Sequence, residues 1–471
     1  MFIGRKKELD TLRTFAEKAH EGRRLFEITG RKGMGKTSLV REAVKDRPSA
    51  FLTAYPTTDT EELRLLAAEL GMEEAGSLSS VFDEITRRAG DAGFILVIDN
   101  FPAFVKADAS FAETLYRYLA DRWADTGIAV IILGDSFLAM EKALSGDKLR
   151  WGKVLAGSLT LAALGFYETS GFFPDLAPTD RAFCYGITGG IPAQLVRLKA
   201  RLHGQAGEEL LHDAVDALFL APDAVGNLPE DVLSIDLREM SYYNRILATL
   251  ASGRSRVNEI SAAVGKPKDV VVPYMNSLIS LAFVAKEYPV TEPFNRRKTR
   301  YAIVNTHDIF YYRYIVPHMD LIYAGKTEEL VKNIILPDMG DFTELIFSRL
   351  CREFVAAGGV DLPVTVASVG TWWENDDEKH TSEGFDMAAT ARAEEEREAL
   401  VFGRCFFDSH PVDMQRLKGL IDLTKRVKEK ADVTYYIAFS NSGFHETAVT
   451  AANAIKNIKL ISLDEIVGFQ G

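Results

Sequence analysis

Gly30-Arg31-Lys32-Gly33-Met34-Gly35-Lys36-Thr37 has the spacing G-x-x-x-x-G-K-[ST] and follows the strand-like run Arg24-Leu25-Phe26-Glu27-Ile28-Thr29. In a loop of this spacing the glycines let successive backbone N–H groups turn toward a phosphate chain. The lysine supplies a point charge and the hydroxyl ligates Mg2+. The run Ser38-Leu39-Val40-Arg41-Glu42-Ala43-Val44 continues as a helix that aims its N-terminal dipole at the same anion. The chain therefore reads as a nucleoside triphosphate binder. Gly30, Gly33, Gly35, Lys36, Thr37 and Ser38 are its candidate phosphate contacts, and Thr37 is a candidate ligand of Mg2+.

Two further apolar runs extend this reading. Gly93-Phe94-Ile95-Leu96-Val97-Ile98-Asp99 ends in an acid, and Ile128-Ala129-Val130-Ile131-Ile132-Leu133-Gly134 leads into Asp135-Ser136. Near-continuous apolar runs separated by amphipathic stretches such as residues 111–123 predict buried parallel strands in a doubly wound α/β sheet. Asp99 is then the second candidate metal ligand, at the ligand edge of its strand. Asp135 or Ser136 is placed to reach the terminal phosphate.

The 471 residues suggest about three domains, and 47% hydrophobic residues supply ample core. No apolar run approaches the ~18 residues of a membrane span. Arg5, Lys6, Lys7, Glu8 and Asp10 occupy the place of a signal peptide's apolar segment, so a soluble, cytoplasmic protein is expected. Cys184, Cys351 and Cys405 lack C-x-x-C spacing and read as buried small hydrophobes. The net charge of -12 argues against non-specific nucleic-acid binding by the whole surface, but leaves room for a local basic face.

Residues 241–300 provide one. Ten basic residues there stand against four acids. Residues 242–250, 256–264 and 269–281 read as three helices, the third broken at Pro273, followed by a hairpin over 282–288 and 300–304. That is the pattern of a winged helix. Lys266, Lys268, Arg296, Arg297 and Lys298 are its candidate phosphate contacts with DNA. An internal packing role for the same module stays open.

Phe2-Ile3-Gly4-Arg5-Lys6-Lys7-Glu8-Leu9 and Gly189-Gly190-Ile191-Pro192, together with the phosphate loop and Asp99, resemble landmarks of the archaeal-type P-loop ATPases, the STAND branch of AAA+-like proteins. The resemblance implies that Gly4 and Arg5 lie near the nucleotide base and that Pro192 senses nucleotide from a helical lid. It also implies ATP with Mg2+ as the ligand. Two positions depart from the family pattern. Asn100 follows Asp99 where a glutamate ordinarily acts as general base, and Trp151-Gly152-Lys153 replaces a Tyr-Gly-Arg element. Lys36, Asp99 and Asn100 are thus the positions where hydrolysis would be decided, and hydrolysis is expected to be weak, because an amide accepts no proton from the attacking water.

The remainder resembles the restriction-endonuclease-like domain often fused to these ATPases. The landmarks are Gly340-Asp341-Phe342-Thr343-Glu344, Val369-Gly370-Thr371-Trp372-Trp373, Gly384-Phe385-Asp386-Met387 and Leu400-Val401-Phe402-Gly403-Arg404-Cys405-Phe406. The active family pattern places glutamates at 384 and 404 and a lysine at 406. Here only Asp386 persists, so nuclease activity is not expected. The acid-rich residues 374–378 and 394–396 read as solvated loops. The expected organisation is a P-loop domain over 1–159, a helical lid over 160–235, a winged helix over 236–315 and a degenerate nuclease-like domain over 316–471. The function implied is a nucleotide-dependent switch that presents its later domains to DNA or a protein partner. An ATP-dependent nuclease with an atypical centre and an ATP-stabilised scaffold are the alternatives.

Overall fold

A computed structural model describes residues 2–18, 22–54, 59–90, 93–145, 148–203, 206–224, 228–234, 237–376 and 381–469. The chain forms two compact units. One comprises Met1–Leu164, Ile191–Ala193 and Gly226–Arg238, and the other Gly165–Gly190, Gln194–Val225 and Glu239–Gly471. The boundary expected at 235/236 lies outside the described residues.

The first unit is built on five parallel strands: β1 (Leu25–Thr29), β2 (Ser49–Thr53), β3 (Phe94–Asp99), β4 (Ile128–Gly134) and β5 (Leu155–Thr160). Their order is β2-β3-β4-β1-β5. Every residue of β4 is buried, as a central strand covered on both faces requires. Alternate β4 side chains serve two cores. Val130 and Ile132 join Leu96, Ile98, Phe82 and Trp123 on one face, while Ala129, Ile131 and Leu133 join Leu39, Val97 and Leu12 on the other. Each fully buried aliphatic side chain contributes about 1.5–3 kcal/mol. Because the strands are parallel, Asp99, which ends β3, and Gly30 and Asp135, which follow β1 and β4, come to the same sheet edge.

The second unit begins with helices including Pro178–Thr188 and Gly207–Val215. Helices Met240–Ala251, Val257–Val264 and Lys268–Ser280 then lead into an antiparallel hairpin of β6 (Val284–Glu287) and β7 (Arg300–Ile303). The break expected at Pro273 does not occur. The third helix continues through it, with the proline on the exposed side. Ile309, Phe310, Tyr311, Tyr312 and Tyr314 are buried, so this aromatic run is core.

A second five-stranded sheet closes the chain: β8 (Val364–Asp376), β9 (Thr381–Ala393), β10 (Glu398–Phe406), β11 (Val433–Ser440) and β12 (Ile458–Ser462), in the order β12-β11-β10-β9-β8. It is mixed. β8 to β10 run antiparallel to one another, and β10 to β12 run parallel. The long helix Leu336–Ala356 packs on β8, β9 and β10, burying Phe342, Ile346, Phe347, Leu350 and Phe354. All three cysteines are buried and free. Glu374 belongs to β8 rather than to a solvated loop, Glu394–Glu396 is an exposed turn in which Glu395 and Glu396 have positive φ, and Asp377 and Glu378 lie outside the described residues.

Candidate nucleotide site

Gly35 stands at φ 80° as the residue before the helix Lys36–Val44, a left-handed conformation that a side chain would strain. The turn it permits buries Lys36, which is 6% exposed, beneath the loop. The Lys36 ammonium donates to the Gly30 carbonyl at 2.7 Å, to the Arg31 carbonyl at 3.3 Å and to Asp135 Oδ1 at 2.5 Å. Thr37 Oγ1 donates to Asp99 Oδ2 at 2.7 Å. The two candidate metal ligands therefore touch, and they pair a hydroxyl with a carboxylate, the oxygen donors that Mg2+ takes.

Asp135 and Ser136 differ in their hydrogen bonds. Asp135 faces Lys36, whereas Ser136 is buried and caps the helix Phe137–Ala143 by accepting from Ala139 N. Asn100 sits at φ 57°, ψ 46°, heading the helix Phe101–Ala107, a position where asparagine is tolerated better than most residues. Ser38 is exposed.

Arg5 braces the loop. It is 5% exposed, and its guanidinium donates to the Met34 carbonyl at 3.2 Å, to the Ala162 carbonyl at 2.5 Å and to Glu8 at 3.1 Å. Gly4, at φ 76°, forms the bend before it. Ala193 N donates to the Gly33 carbonyl at 3.1 Å, and Pro192 lies 3.7 Å from where a Gly35 Cβ would stand. Trp151 is buried edge-on to Tyr116, while Lys153 is exposed.

In the second unit, Gly189 also has a left-handed backbone, at φ 60°, and a Cβ there would stand 1.8 Å from Asn305 Oδ1. The same asparagine donates through Nδ2 to the Gly189 carbonyl at 2.8 Å. His307, 1% exposed, stacks on Phe219, lies 2.9 Å from the Ile187 carbonyl through Nδ1 and 3.4 Å from Gln194 through Nε2. No motif marks Asn305 or His307 in the sequence. Their only signal is polar residues set between the β7 strand and an aromatic core segment.

Around Asp386, Gly384, Arg404 and Phe406 stand where the resemblance would place two glutamates and a lysine. Asp386 accepts from Cys405 N at 2.8 Å, and burial pushes its carboxyl above the ordinary range. Burial also raises Glu344, and the nearby Asp386, Asp341 and Asp408 add to that shift while Arg404 opposes it. Phe406 is buried among Trp372, Phe385 and Phe402. Among the described residues no group of three or more metal-ligating side chains is assembled. At Gly384 a Cβ would stand 2.3 Å from the Trp372 carbonyl oxygen and 3.2 Å from Trp373 Cβ. Gly384→Glu should therefore destabilise the second unit by about 1–3 kcal/mol instead of rebuilding a metal site. Thermal unfolding checks this, and an unchanged melting temperature would show that β8 yields there.

Of the candidate phosphate contacts in the hairpin region, Lys266, Lys268, Arg296 and Arg297 are exposed. Lys298 differs. Its ammonium lies 2.5 Å from both Glu292 and Glu374 and its side chain is 10% exposed. Burial works against its charge, but the bonds to the two glutamates outweigh it and hold its pKa above the usual lysine value. Lys298 is committed to an internal ion pair, which removes it from the surface available to phosphate.

Comparison with known proteins places these features. Residues 19–139 match the family model described as an AAA domain, and residues 311–410 match one described as archaea bacterial proteins of unknown function. An uncharacterized protein of Methanocaldococcus jannaschii is 26% identical over 401 residues, which span 83% of this chain and 84% of the relative. Among solved structures, the Walker-type ATPase of Pyrococcus abyssi aligns over 66% of this chain and 96% of its own, with 16% identity and a TM-score of 0.51. The ORC2 protein of Aeropyrum pernix aligns over 69% and 95%, with 13% identity and a TM-score of 0.47. No helix among the described residues is long and apolar enough to cross a membrane. The chain thus carries an AAA-type domain around its phosphate loop, and its fold is similar to that of an archaeal Walker-type ATPase.

Proposed function

We propose that the chain binds ATP with Mg2+ at residues 30–38 and uses that occupancy to switch how its three-helix and hairpin element meets DNA. The observation that carries the nucleotide part is the Lys36 ammonium held by two loop carbonyls and Asp135, beside the touching Thr37 and Asp99. Phosphate entering the loop takes the ammonium away from Asp135, and the freed carboxylate then reports on the terminal phosphate. Thr37 and Asp99 would hold Mg2+, which when bound offsets phosphate charge. Asn100 orients water without removing its proton, so the bound state is long-lived.

The path of the chain supports the switch. Ile191–Ala193 packs on the loop within the first unit, while its flanking residues Gly190 and Gln194 belong to the second. Those flanks are secured near Asn305 and His307, which follow β7 of the hairpin. A shift of the phosphate loop thus bears on a segment whose two ends are tied to the base of the hairpin.

Fluorescence anisotropy with labelled duplex DNA tests the reading. The full chain should bind with a salt-dependent affinity, and ATP with Mg2+ should change that affinity several-fold, within the usual range of about 5–150-fold for coupled sites. An affinity indifferent to nucleotide would contradict the switch, and absence of binding would contradict the DNA reading.

A further inference from the structure

We infer that Phe294 is an apolar wedge, carried on a braced wing and directed at the stacked bases of duplex DNA. The inference rests on the DNA reading above and goes beyond the charged contacts. Phe294 is 92% exposed, far more than any other phenylalanine among the exposed large hydrophobic residues, and it lies in the loop between β6 and β7.

The loop that carries it is fixed. Asn295 Nδ2 donates to Glu292 at 2.7 Å, Asn295 Oδ1 accepts from Arg297 N at 3.1 Å, and the Lys298 ammonium bridges Glu292 to Glu374. Its base is joined to β8, with Val290 N donating to the Thr371 carbonyl at 2.9 Å, and to the segment before β11, with Thr291 Oγ1 donating to Glu429 at 3.2 Å. An exposed aromatic on a floppy loop would lose ordering entropy on binding. On this loop that loss is already met in the free protein.

The charges around Phe294 select the occupant. Arg296 and Arg297 are exposed, and neither guanidinium is in an ion pair among the described residues. The segment preceding β11 adds Lys428, which is 74% exposed at 3.9 Å from Glu374, the carboxylate that also anchors Lys298. An aromatic tip flanked by the exposed Arg296 and Arg297 suits a polyanion with apolar faces inside it. Proteins that insert Phe, Leu or Met between base steps bend the duplex by 20–90° in doing so, while neighbouring cations hold the phosphates. Lys428 was not among the residues the sequence singled out, and it comes beside the wing only because Glu374 lies on β8.

The test uses the full chain with a labelled duplex and the single strand of the same sequence, measured by anisotropy over a salt series, with end-to-end energy transfer reporting bending. Phe294→Ala should weaken duplex binding about tenfold or more, abolish bending and leave the salt slope unchanged. Phe294→Leu should keep most of the bending. Arg296→Ala with Arg297→Ala should instead flatten the salt slope by about 1–2. Residue 294 supports no packing, so the melting temperature of Phe294→Ala should equal the wild type. Duplex binding that is intact in Phe294→Ala would overturn the wedge and leave the DNA reading standing. Tighter binding of the single strand, weakened by Phe294→Ala, would overturn the duplex as occupant. No binding of either nucleic acid by the wild type would overturn both readings.

Discussion

Titration calorimetry of Lys36→Ala should show no ATP binding at concentrations that saturate the wild type. The substitution removes an ammonium whose hydrogen bonds to phosphate are charge-assisted, each worth about 1.5–3 kcal/mol, so two such bonds correspond to a loss of a hundredfold or more. The arrangement of the site enlarges the effect. Asp135 now pairs with Lys36, and without that lysine its carboxylate would face the phosphates unpaired. Lys36→Ala combined with Asp135→Asn should accordingly bind more strongly than Lys36→Ala alone, the non-additivity expected of two groups in contact. Unchanged affinity in the single variant would refute the site.

The second large effect concerns turnover. Steady-state hydrolysis by the wild type should fall below about 1 s⁻¹, because loss of a general base costs roughly 10²- to 10⁴-fold. Asn100→Glu should raise the rate. It should also lower stability by about 1–2 kcal/mol, because residue 100 holds φ 57° and glutamate tolerates that conformation poorly. The same variant therefore yields two readouts that move in opposite directions. Wild-type turnover at 1 s⁻¹ or faster would show that another group, with Asp135 the nearest carboxylate to Lys36, takes the proton.

Much of the nucleotide domain was legible because its informative residues are local. The phosphate loop is a contiguous motif, and β3 and β4 are apolar throughout because they are buried on both faces. The edge strands β2 and β5 were not legible. Ser49–Thr53 is mostly half-buried and Leu155–Thr160 alternates half-buried with exposed residues, so neither makes a long apolar run. At Pro273 local propensity misled, since the missing N–H falls on the exposed side of a helix that three buried residues, Val271, Met275 and Leu278, hold in place. Lys298 was misread for a different reason. Its two carboxylate partners lie 6 and 76 residues away, and only the second sheet brings the farther one near. Counting charges along a sequence measures supply, whereas the ion pairs decide which charges remain at the surface.

The most direct test of the switch is a closed thermodynamic cycle on the full chain: ATP affinity with and without saturating duplex DNA, set beside DNA affinity with and without saturating ATP and Mg2+. Linkage requires the two ratios to agree, and the switch requires both to differ from one, by about fivefold or more. With Lys36→Ala the DNA affinity should no longer respond to nucleotide. Ratios of one in the wild type, with ATP and DNA each bound tightly, would contradict the account, because they would show two sites on one chain that exchange no free energy.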